Sequence, residues 1–112
     1  MMDPQKEYEL GAEAFLTGDA AAGAEHLRHA AFAGHPEAQN QLARIYFSQL
    51  KQRSDLADLE AAAQGGDHVA LFVLAMSFID GKLVDKDTDK AMAALRLAAQ
   101  QGNVMARAML GD

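Results

Sequence analysis

The chain has no cysteine, which excludes disulfide scaffolds, thiolate zinc sites and cysteine nucleophiles. It has only two prolines, Pro4 and Pro36, and both stand where a helix can start. β-Branched residues are scarce and alanine is abundant, a balance that favours helix over strand. Basic residues are outnumbered, 10 against 16 acidic ones, for a net charge of −6. That sign argues against nucleic acid and anionic membranes as main partners. No apolar run reaches the roughly 18 residues that a membrane span needs. The opening MMDPQKEYEL is acidic and polar, unlike a secretory signal. At 112 residues the chain is one domain's worth. A chain of this size buries about two thirds of the surface its unfolded form exposes, enough to fold without metals or cross-links. These absences describe a soluble cytoplasmic protein with no cofactor.

What is present is helix. Punctuation at TGD, AGHPE, KQRSD, QGGD, DGKLVDKD and QGN divides the chain into helical segments at about 5–17, 20–33, 36–50, 55–64, 67–80, 88–101 and 103–110.

The segments repeat. Anchored on Gly34, Gly66 and Gly102, three copies align with periods of 32 and 36 residues. Leu27, Leu59 and Leu95 precede each glycine by one interval, and the pairs Ala30–Ala31, Ala62–Ala63 and Ala98–Ala99 by a shorter one. Ala38, Ala70 and Ala106 follow, then Leu42, Leu74 and Leu110, then Tyr46 and Phe78. The glycine suits a left-handed helix end. Asp67 and Asn103 after it are good caps for the next helix, and His35 is a poorer one. The Ala–Leu–aromatic set forms an apolar stripe. Each unit reads as a helix–turn–helix hairpin, with units at approximately 5–33, 36–64 and 67–101 and a partial fourth at 103–112.

These residues resemble the Sel1-like repeat family, relatives of the tetratricopeptide repeats. The resemblance rests on Ala62–Ala63–Gly66–Asp67–Ala70–Leu74–Phe78, then on GKLVDKDTDKAMAAL from Gly81 to Leu95, and it covers about residues 23–111. There are departures. Leu83 stands for the loop's second glycine, Ala43 and Ala75 for the glycine after the signature leucine, and the link near SQLKQRSD lacks the glycine loop. The family's frequent disulfides are missing. The resemblance implies an all-α fold, a right-handed α-α superhelix (solenoid) of about three hairpins plus a partial fourth. It also implies a non-catalytic module that docks a partner peptide or helix on its concave face.

The segment DHVALFVLAMSFIDG, Asp67–Gly81, is apolar on every side. Ala70, Leu71, Leu74, Ala75 and Phe78 make one face. Val69, Phe72, Val73, Met76 and Ile79 make another, which is core, a docking groove or a seam between two copies. By analogy with the family it lines the groove beside Glu37, Asn40, Gln41, Arg44, Phe47 and Ser48. The expected partner-binding residues are Asn40, Gln41, Arg44, Phe47, Phe72, Val73, Met76 and Ile79. The partner is a protein or peptide, and a homodimer is the alternative.

Other candidates carry less. Glu25, His26 and His29 share one helix turn, but no third and fourth ligand stands at a usable spacing, so they read as a solvated face with no metal. His35 and His68 flank helix starts, on the surface. DKDTDK at 85–90 lacks the calcium-loop pattern, and Asp87 reads as a helix cap. None of Ser48, Ser54 and Ser77 sits in a nucleophile motif, and no phosphate-cradling loop is present. No enzymatic activity is expected.

Overall fold

Every α-helix but the one beginning at Leu56 starts at a side chain that accepts a backbone N–H, and every one but that beginning at Pro36 ends at or next to a glycine. The protein is described by a computed structural model over residues 3–111. Among these residues it is all helical: α1 (Pro4–Leu16), α2 (Ala20–Phe32), α3 (Pro36–Gln49), a 3-10 turn at Arg53–Asp55, α4 (Leu56–Gln64), α5 (His68–Asp80), α6 (Thr88–Gln100) and α7 (Val104–Leu110). Each α-helix matches its expected span to within one residue at either end. The last residue of the expected partial repeat, Asp112, lies outside the described residues.

One turn is built four times. The backbone N–H groups of Asp19, His35, Asp67 and Asn103 donate to the carbonyls of Ala14, Ala30, Ala62 and Ala98, at 2.8–3.0 Å. The glycine just before each donor has positive φ, 89° at Gly18 and 99°, 102° and 103° at Gly34, Gly66 and Gly102. Only glycine takes that conformation at little cost. The donor residue then caps the next helix: Asp19 accepts from Ala22 N–H, Asp67 from Val69 and Ala70 N–H, and Asn103 from Ala106 N–H. His35, the weaker candidate, does the same work with Nδ1, which accepts from Ala38 N–H at 3.1 Å. Asp87 caps α6 as its position implies.

Helices adjacent in sequence pack on one another, except for α3 and α4. α3 lies against α2, α5 and α7, while α4 lies against α5. The stretch 36–64 is therefore two helices joined by an extended link rather than a tight hairpin. The physical reason is the missing glycine turn. α3 ends at Leu50 in extended backbone, and the Asp55 carboxylate gathers the N–H groups of Lys51 and Gln52 at 2.8 and 2.9 Å. The radius of gyration is 14.0 Å, against about 13 Å for a compact domain of this length. The fold is thus nearly compact, with α3, α4 and α6 gathered around α5.

That gathering explains the all-apolar segment. A helix apolar on all sides must be covered on all sides, and α3, α4 and α6 surround α5. Val69, Ala70, Val73 and Ala75 are fully buried there, and Leu74 and Phe72 nearly so. The repeated leucines Leu27, Leu42, Leu59 and Leu95 fill the same core.

Gln39 closes the arrangement. It is completely buried although it is polar. Its Nε2 donates to the carbonyls of Ala31 and Gly102, at 3.0 and 3.1 Å, and its Oε1 accepts from Val104 N–H at 2.8 Å. One side chain thus ties the end of α2 and the body of α3 to the start of α7. At the equivalent place in another copy, Arg107 Nε donates to Ala99 O. The residue between them in the alignment, Leu71, has no group that can donate.

Candidate functional site

The expected docking residues separate into three groups. Phe72 is 7% exposed and Val73 is wholly covered, which corrects their expected place on an open face. They belong to the core because α3, α4 and α6 all pack against α5. Asn40, Gln41 and Arg44 are exposed on α3. Gln41 Nε2 donates to the Tyr8 hydroxyl at 2.8 Å, so it helps seat α1. None of these three reaches the cavity that the others line.

Phe47, Met76 and Ile79 do come together. With Leu50, Leu83 and Ser77 they line a cleft of about 560 Å³ at the C-terminal ends of α3 and α5. Asp80 and Lys82 stand at its rim, Nζ 3.9 Å from Oδ2. Phe47 is 42% exposed, and Met76 and Ile79 are half-buried. The walls that sequence reasoning missed stand at two of the places where the chain departs from the pattern it resembles. Leu50 opens the extended link after α3. Leu83, where the resembled pattern carries a glycine, gives the loop after α5 an apolar wall. Arg53 Nε holds that wall by donating to Leu83 O at 2.9 Å. The departures were the signal, since a bulky residue in place of a glycine must put its side chain somewhere.

The chemistry available in the cleft is contact. The Ser77 hydroxyl donates to its own helix, to Val73 O at 3.0 Å. Among the described lining residues, Asp80 and Lys82 alone carry charge. Two apolar helix ends, a methionine and a phenylalanine make a surface that grips side chains through dispersion and displaced water.

Two polar clusters lie elsewhere. The Tyr46 hydroxyl donates to Asp67 Oδ2, so the cap of α5 is also braced from α3. Burial and the Asp67 carboxylate push the Tyr46 phenol far above its ordinary value.

His68 is buried, contrary to its expected surface position. The Phe32 ring meets it edge-on at 5.8 Å. The Asn103 amide is oriented by Ala106 N–H on its Oδ1, so its Nδ2 donates to His68 O and Nδ1, both at 3.3 Å. Nδ1 must then be unprotonated, and Nε2 carries the hydrogen without a partner. Burial pushes this imidazole below its ordinary 6.5, against the pull of Asp67. A depressed folded value means the unfolded chain takes the proton first. The contribution of His68 to stability is therefore full above pH 6.5 and declines as pH falls from there through the lower folded value. The urea midpoint should drop between about pH 7.5 and about pH 5, and His68→Gln should flatten that drop. An equal drop in both proteins would assign it to other groups.

No family model matches the chain, and neither a curated protein nor a solved structure matches it significantly.

Proposed function

We propose that the chain is a non-catalytic protein–protein interaction module, of the helical-repeat solenoid kind that its sequence resembles. It holds a short apolar segment of a partner protein in the cleft between Phe47, Met76, Ile79 and Leu83. The observation that carries this reading is the cleft itself. It has the size of a ligand pocket, about 300–1,000 Å³, and an apolar floor of half-buried side chains. The four equal turns support the solenoid reading. No described helix is long and apolar enough to cross a membrane.

Panning a peptide display library on the purified chain tests the proposal. Selected peptides should carry two apolar residues three or four apart, as a helix presented to a groove does. Met76→Glu should weaken their binding about tenfold or more while the melting temperature stays within a few degrees, because a charge at a half-buried anchor must be desolvated. Failure to select any peptide, or binding indifferent to Met76→Glu, sinks the cleft as a docking site. The second reading is a homodimer, favoured by Leu97 and Met109, 46% and 49% exposed on α6 and α7. Light scattering over a wide concentration range separates the two readings. A mass that doubles and reverts in Met109→Glu supports the dimer.

A further inference from the structure

The first hairpin supplies what the histidine pair of α2 lacked in sequence. His26 and His29 stand three residues apart and so share one face of α2. Glu7 of α1 reaches that face. Its Oε2 lies 2.6 Å from His26 Nδ1 and 3.9 Å from His29 Nδ1. The three potential ligand atoms all lie within 4.8 Å of one another. Glu25, the acidic neighbour on the same turn, is not part of the set.

We propose that Glu7, His26 and His29 bind one divalent transition-metal ion of the zinc class, which clamps α1 onto α2. Two imidazoles and a carboxylate are a donor set that zinc accepts, with water in the fourth position. Ligand atoms at about 2.0–2.2 Å around a tetrahedral ion stand about 3.3–3.6 Å apart. The observed 2.6 and 3.9 Å bracket that spacing, so side-chain rotation alone completes the site. In the free protein the Glu7–His26 hydrogen bond holds the pair together, and the ion replaces its proton.

The frame is rigid where rigidity matters. Gly11, one turn beyond Glu7, sits so close to α2 that a Cβ there would stand 3.1 Å from Gly23 O and 3.3 Å from Leu27 N. That near contact of backbones sets the helix separation that brings residue 7 to residues 26 and 29. Access is open: the side chains are 20% exposed at Glu7, 34% at His26 and 48% at His29. The net charge of −6 draws cations towards the chain.

The test uses the full chain without a histidine tag. Zn²⁺ is titrated by calorimetry, and Co²⁺ by its visible absorption, whose intensity reports tetrahedral geometry. The expected result is one ion per chain in the micromolar range or tighter, with a melting temperature that climbs as free zinc rises. Loss of even an outer-shell partner costs about 10–100-fold in metal affinity, so Glu7→Gln and His29→Gln should each lose at least that much. Glu7→Gln keeps an oxygen that can accept from His26. His29 is the most exposed of the three, so its variant folds regardless, and circular dichroism checks both. Glu25→Gln should bind as wild type does. No ion bound in the micromolar range, or equal binding by wild type and His29→Gln, overturns the proposal.

Discussion

Gln39→Ala is expected to lower the melting temperature by about 10–20 °C, from a loss of about 2–4 kcal/mol. The substitution removes three hydrogen bonds made by a wholly buried side chain. Ala31 O keeps a partner, because Gly34 N–H also donates to it. The cost therefore falls on Gly102 O and on Val104 N–H at the start of α7. A buried group left unpaired costs about 1–3 kcal/mol, more than the mean worth of the bond it loses. Gln39→Leu separates bonding from volume, since it installs the residue that the next copy carries at Leu71. It should restore packing but not pairing, and fall between alanine and wild type in thermal unfolding. If the leucine variant is as stable as wild type, the amide bonds contribute nothing and the contacts of α7 with α6 suffice to hold it.

Phe72→Ala should cost about 3–5 kcal/mol, the usual loss for a large aromatic side chain emptied from a close-packed core. The urea midpoint is expected to fall steeply with little change in slope. Met76→Glu, four residues along on the same helix, should leave the midpoint nearly where it was. The contrast matters for function, because both residues were expected on one docking face. A Phe72→Ala protein of unchanged stability would place that ring at the surface and reopen the broad groove along α5.

The reach of the sequence can be judged element by element. Leu27, Leu42, Leu59, Leu74 and Leu95 were legible as core because local periodicity reports which face of a helix is apolar. All five are buried. The turns at Gly34, Gly66 and Gly102 were legible because a glycine followed by a capping side chain is a local device, complete within a few residues. The stripe Val69, Phe72, Val73, Met76 and Ile79 was legible as apolar but not as buried or open. Burial depends on how many helices surround α5, which no residue of α5 encodes. Its first three members proved to be core, and the last two line the cleft.

The candidate sites show the same division. Phe47, Met76 and Ile79 were named from the repeat pattern. Leu50 and Leu83 were visible only as departures from that pattern until the fold set them against the others. The metal-ligand set is the sharper case. Sequence spacing finds ligands on one helix, and Glu7 is on another, brought close by the near contact of Gly11 with α2. His68 follows suit: a histidine read as a surface residue is enclosed by Asn103, distant in the chain.

By itself, the sequence determined that the chain is helical, where each helix starts and stops, and which residues are apolar enough to need cover. These are matters of backbone preference and local hydrogen bonding, settled within one turn of helix. Tertiary structure alone decided that α4 leaves α3, that α3 meets α7 through Gln39, that the apolar cleft opens at the ends of α3 and α5, and that Glu7 joins two histidines. Each of these depends on contacts between residues far apart in the chain. Such contacts are chosen by the packing of whole helices, and no local pattern records them.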